Sequence, residues 1–169
     1  MAIVIETERM LLREFCAGDA EVFYALCSDP QVIRYTGNSG VTSMDDARAR
    51  LSAAELAKYY HRGLGRLACV LKSKGLVVGM AGLKHLDELG EVDLGYRFLS
   101  DYWGMGLATE AGRATLDYGF KNLRLERIIG LVHPENTASA RVLEKLGFIH
   151  SGVIEYLSHP AEKYEIRNA

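Results

Sequence analysis

The chain has 169 residues, 49% hydrophobic and 25% charged, a length and balance suited to one soluble globular domain that can bury a core. Lys and Arg total 20 against 22 Asp and Glu, and a net charge of -2 argues against a surface built to coat nucleic acid. No apolar run approaches the roughly 20 residues of a membrane span, and Met1 to Glu6 lacks the basic and apolar stretches of a leader, so a cytoplasmic protein with no membrane partner is expected.

In chain order, Ile3, Ile5, Met10 to Arg13 and Phe15 predict a first strand, broken near Thr7-Glu8-Arg9. Asp19 to Leu26 carries Val22, Phe23 and Leu26 at helical spacing and stops before Ser28-Asp29-Pro30, where a short second helix starts. Gly37-Asn38-Ser39-Gly40 reads as a loop. Thr42-Ser43-Met44-Asp45-Asp46 is a helix entry, with acidic residues where the dipole favours them, and that helix is expected to run to about Tyr60. Leu67–Leu71 and Leu76–Leu83, joined by Lys72-Ser73-Lys74-Gly75, predict a β-hairpin. The cysteines, Cys16, Cys27 and Cys69, have neither disulfide nor zinc spacing and read as reduced core thiols.

Glu91 to Leu99 alternates, with Val92, Leu94, Tyr96 and Phe98 on one face and Glu91, Asp93, Gly95, Arg97 and Leu99 on the other. The turn Trp103-Gly104-Met105-Gly106-Leu107-Ala108-Thr109-Glu110-Ala111 then opens a helix expected over about 104–121, followed by a strand at 127–132 parallel to 91–99. A strand-to-helix junction binds anions, because the first helical turn leaves amides without partners and the peptide dipoles add positive charge there. Two glycines alone also fit an ordinary turn, so the flanks decide. Those flanks are a helix over 136–146, Gly147 as its left-handed stop, a strand at 148–156 and a short one at 164–167.

This order, with His133-Pro134-Glu135-Asn136-Thr137-Ala138-Ser139 and Leu146-Gly147-Phe148, resembles the GNAT-type N-acetyltransferase superfamily. Within it, Ile5 to Arg13, Asp19 and Ser28-Asp29-Pro30 resemble the branch of bacterial ribosomal-protein N-terminal acetyltransferases, so the likeness covers nearly the whole chain. It implies one α/β domain over 1–169, with a mixed, mostly antiparallel sheet of about seven strands, splayed between 91–99 and 127–132 and flanked by helices. It also implies acetyl-CoA as cosubstrate. Its diphosphate would lie on Gly104, Met105, Gly106, Leu107, Ala108 and Thr109, with Trp103 where the family has Gln or Arg, and its pantetheine arm along Phe98 and Leu99. Arg113 and Arg141 would meet the outer phosphates, or else be solvated surface arginines.

Acetyl transfer to an amine needs a neutral nucleophile, a polarised thioester and a proton for the leaving thiolate. Asp93 stands where superfamily members carry a strand glutamate and is the first choice of base, acting through water because it is shorter. Glu91 shares its face and is the second choice; a solvated strand face is the plainer account of both. By resemblance Asn136 contacts the pantetheine and Ser139 is the proton donor, although helix capping explains both residues too. Leu143 replaces the tyrosine acid of many members. A carboxylate near pKa about 4 matches an α-amine near about 8 better than a lysine near about 10.

Tyr35 and residues 31–44 are expected over the acceptor pocket, as in the family. His61, His85, His133, His150 and His159 lack metal-ligand spacing, so no metal is expected. The partners implied are acetyl-CoA and an amine acceptor, a protein N-terminus or a small molecule, with a homodimer left open. A CoA-binding module with little turnover is the competing reading. A dinucleotide-binding enzyme fails because Thr109 occupies the third small position of its fingerprint.

Overall fold

The computed structural model describes residues 2–36 and 40–169, so of the loop expected at 37–40 only Gly40 lies inside the described residues. Strands β1 (Val4–Glu6), β2 (Met10–Arg13), β3 (Gly65–Leu71), β4 (Leu76–Leu86), β5 (Glu91–Phe98), β6 (Arg127–Val132), β7 (Ile149–Tyr156) and β8 (His159–Arg167) form one sheet in the order β1-β2-β3-β4-β5-β6-β8-β7. Every neighbouring pair is antiparallel except β5 and β6, as expected for the crossover between them.

That parallel pair sets the site. β5 and β6 meet in register only at Asp93 and Ile129, and beyond that point they diverge. The gap opens toward the C-terminal ends of both strands, where the glycine turn and the loop after β6 begin.

Helices cover both faces. On one side α5 (Leu107–Lys121) and α6 (Thr137–Lys145) pack on Leu83, Leu94, Ile128, Phe148 and Tyr164. On the other, α1 (Ala20–Ser28), α2 (Pro30–Ile33), α3 (Met44–Arg50) and α4 (Ala53–Tyr59) enclose Ala68 and Met80. Gly147 takes φ +96° after α6, as its C-terminal position predicts. No helix among the described residues is long and apolar enough to cross a membrane.

Several boundaries differ from the sequence expectation. The first strand is two strands, because Thr7 closes a turn: its amide donates to the Met10 carbonyl at 2.9 Å and its hydroxyl oxygen accepts from the Met10 amide at 2.9 Å. With it the sheet has eight strands among the described residues rather than seven. The helix expected from Thr42 to Tyr60 is two, since Ser52 leaves helical geometry at ψ 150° and its hydroxyl caps the Glu55 amide. β8 starts at His159 rather than Tyr164, because it pairs with β7 along its length. Cys27 and Cys69 are buried thiols, but Cys16 is exposed.

Candidate active site

The glycine turn is a main-chain construction. Gly104 and Gly106 hold φ of +74° and +77°, a region that L side chains rarely enter, so glycine is required at both. Gly106 caps α5 without a side-chain bond. Among the described residues, none of the amides from Gly104 through Thr109 has a hydrogen-bond acceptor in the protein. Six neighbouring donors at a helix start, all unmatched, fit a diphosphate. Beside them is a cavity of about 540 Å³ lined by Thr7, Gly106, Thr109, Glu110, Arg113 and Lys145. Trp103 and Met105, in the turn itself, are exposed.

The turn is held from behind. Glu110, in the first turn of α5, accepts from the Thr7 hydroxyl (2.7 Å), the Arg9 amide (2.8 Å) and the Arg9 Nε (2.7 Å). Burial opposes its ionisation, but these donors outweigh burial and hold its carboxyl below the usual range. Another Arg9 nitrogen donates to the Met105 carbonyl at 2.8 Å.

The opening between β5 and β6 carries the other groups. Asp93 is only 7% exposed. One of its oxygens pairs with Arg66 at 2.6 Å, and the other accepts from the Leu131 amide on β6 at 3.3 Å. Burial raises its carboxyl above the ordinary value against the pull of Arg66 and that amide. Arg66 reaches it by lying across glycine: a Cβ on Gly95 would come within 2.4 Å of the guanidinium, and the same side chain donates to the Gly82 carbonyl at 2.7 Å. Thus Arg66, Asp93 and Leu131 form a strut from β3 to the far side of the gap. Glu91, two residues earlier, is tied to Arg127, with Lys163 at 3.9 Å. Neither strand carboxylate is a free solvated group.

Asn136 caps α6, its Oδ1 accepting from the Ser139 amide at 3.2 Å. Ser139 is half-buried and meets β5 directly. The Tyr96 hydroxyl donates to the Ser139 carbonyl at 2.8 Å and lies 3.1 Å from its Oγ, and burial raises the phenol pKa. Tyr35 stacks on His133, in the loop after β6, with ring centroids 5.1 Å apart, which brings the end of α2 to the mouth of the gap.

The profile of the acetyltransferase (GNAT) domain matches residues 9–149. The chain belongs to the GNAT acetyltransferase family. It is 34% identical over 149 residues to the uncharacterized N-acetyltransferase p20 of Bacillus licheniformis, covering 88% of this chain and 83% of that one. A GNAT-family acetyltransferase structure from Bacillus anthracis superposes with a TM-score of 0.81 at 30% identity, covering 98% of each chain. Mycobacterium smegmatis RimJ, solved in complex with CoA-disulfide, shares the fold with a TM-score of 0.77 at 21% identity, covering 98% of this chain and 87% of that one. An N-acetyltransferase of this family is therefore what the fold and sequence describe.

In this acetyltransferase the residues singled out from sequence fall into three groups. Of the turn residues from Trp103 to Thr109, Gly106 and Thr109 line one cavity together with Arg113, although Arg113 also donates to the Lys145 carbonyl at 3.2 Å. Arg141 and Asn136 line a different cavity, with His133, His150 and Glu162. Phe98 is buried and its carbonyl accepts from the Trp103 indole at 2.8 Å, while the Leu99 amide donates to Val78 at 3.0 Å, so β5 meets the turn with part of its edge already bonded. Sequence reasoning gave no role to Arg9, Arg66 or Tyr96. Gly95 was the one available sign of Arg66, since it leaves the path of that guanidinium clear of a side chain. No cluster of His, Cys, Asp or Glu among the described residues is arranged to hold a metal ion.

Proposed function

We propose that this protein transfers an acetyl group from acetyl-CoA to a weakly basic primary amine, a protein N-terminal α-amine or a small-molecule amine, directly within a ternary complex. The observation that carries the reading is the row of unmatched amides from Gly104 to Thr109 beside the opened strands β5 and β6. Acetyl-CoA supplies the thioester whose carbon–sulfur bond breaks as the carbon–nitrogen bond forms.

The chain's own groups divide the remaining work. The turn amides and the positive end of α5 hold the diphosphate. Ser139 holds a hydroxyl proton for the departing sulfur, and Tyr96 fixes that residue from β5 through two close contacts. Asp93, already paired with Arg66, takes the amine proton through water; its raised pKa narrows the gap to any amine, and the gap that remains is smaller for an α-amine than for a lysine. Glu91, tied to Arg127, braces the strand ends. With both carboxylates engaged by arginines, the acceptor must supply its own neutral fraction, which favours amines near pKa about 8.

The test is thiol release from acetyl-CoA against peptides with free N-termini, lysine side chains blocked or free, and small amines, with products weighed by mass spectrometry. Acceptor-dependent release with α-amines, and little with ε-amines at pH 7, supports the reading. The engagement of Asp93 by Arg66 also favours a second reading, a CoA-binding module with little turnover; tight coenzyme A binding without release for any acceptor would establish that one instead.

A further inference from the structure

We infer that Arg9, on the turn between β1 and β2, is a positioning residue that sets the direction of the amides in the glycine turn and so determines affinity for the diphosphate part of coenzyme A. This inference rests on the proposed use of that turn for the cosubstrate. Its basis is how one guanidinium is shared.

Arg9 Nε bonds Glu110 at 2.7 Å while a terminal nitrogen of the same group bonds the Met105 carbonyl at 2.8 Å. A peptide unit is planar and trans, so its C=O and N–H point in opposite directions. Pinning the Met105 carbonyl toward Arg9 aims the Gly106 N–H the other way, into the row of unmatched donors. Glycine at 104 and 106 makes the turn soft as well as close-fitting, so nothing in its own chain fixes that peptide plane. A side chain from elsewhere has to do so.

Charge points the same way. Glu110 puts a carboxylate on the first turn of the helix that would receive a diphosphate, and an unpaired anion there would oppose the ligand. Arg9 cancels it without occupying the donors. The turn that carries Arg9 is itself braced: Lys72 donates from its side chain to the Thr7 carbonyl at 2.7 Å and from its amide to the Arg9 carbonyl at 2.9 Å. A rigid strut therefore runs from the β3–β4 hairpin through Arg9 to the glycine turn, some 96 residues along the chain from it.

The experiment titrates coenzyme A and pantetheine, which lacks the diphosphate, into wild type and Arg9→Gln by calorimetry, and compares amide spectra of the unliganded proteins. Expected is an approximately tenfold rise in the Kd for coenzyme A, the effect of losing about one charge-assisted hydrogen bond, with pantetheine affinity within about twofold and signal changes centred on residues 104–107. Equal coenzyme A affinity in the two proteins overturns the inference. So does an equal loss for both ligands, which would make Arg9 a general support of the fold. Should Arg9→Gln fail to fold, Arg9→Lys retains charge and stem but cannot bridge Glu110 and Met105 from two fixed nitrogens. A loss of about threefold for coenzyme A alone then supports the inference, and parity with wild type overturns it. If wild type itself takes up no coenzyme A, the functional reading falls and this inference with it; if wild type binds and the variants match it, only this inference falls.

Discussion

The two halves of the site are built from opposite materials. Around Gly104–Thr109 the working groups are backbone amides, and side chains such as Arg9 and Glu110 stand behind them. Around Asp93 they are charged side chains, each neutralised by a partner from another strand, with Arg66 on β3 and Arg127 on β6. A backbone site depends on conformation and, apart from the two glycines whose positive φ it needs, tolerates change in the residues that present it. A site of paired buried charges depends on each partner, because removing one leaves the other charge uncompensated.

The sharpest test of that difference is Arg66→Met, which leaves the Asp93 carboxylate buried without its partner. A loss of about 3–5 kcal/mol in urea unfolding is expected, with Arg66→Met together with Asp93→Asn losing less than the sum of the two single changes. Additive losses would break the comparison. Next is Ser139→Ala, expected to lower kcat about a hundredfold while leaving coenzyme A affinity within about twofold; steady-state kinetics and calorimetry separate the two.

On the backbone side, Gly106→Ala forces an L side chain to φ +77°, a cost of about 1–2 kcal/mol. It should weaken coenzyme A binding about tenfold and leave saturated turnover within about twofold. Acid sensitivity gives a smaller effect. Asp19, paired with Arg13, and Glu110 both keep carboxyl pKa values below the usual range despite burial. The unfolded chain therefore binds more protons, and their contribution is present at neutral pH and lost as pH falls below about 4. Asp93 has the opposite sign, since protonating it relieves a buried charge. Urea midpoints followed from pH 7 to pH 3 should fall in wild type and fall less in Glu110→Gln.

The smallest expected difference is between the two outer arginines. Arg113 lines the cavity beside the turn and Arg141 lines another, so Arg113→Ala should weaken coenzyme A about threefold and Arg141→Ala less than about twofold. The reverse order would move the outer phosphates to α6.

What could be read in advance followed the same division. The glycine turn, the crossover from β5 to β6 and the capping Asn136 were legible because each is a local pattern: positive-φ residues, a change of period, and an oxygen three residues before an amide. Asp93 was legible as a carboxylate on a strand face, but not as the partner of Arg66, which lies 27 positions earlier. Tyr96 read only as an apolar-face residue, and its meeting with Ser139 spans 43 positions. The break at Ser52 was missed because the apolar pattern around it remains helical.

By itself the sequence determined the order of most elements, the glycine turn and the family, since hydrophobic period, glycine placement and motif order are properties of neighbouring residues. Only the tertiary structure decided the charge state and freedom of the side chains in the opening. Pairing between Arg66 and Asp93, Arg9 and Glu110, or Tyr96 and Ser139 requires strands and helices distant in sequence to be brought within hydrogen-bond reach. Electrostatics in a buried site acts through space and burial, neither of which is written in the order of residues along the chain.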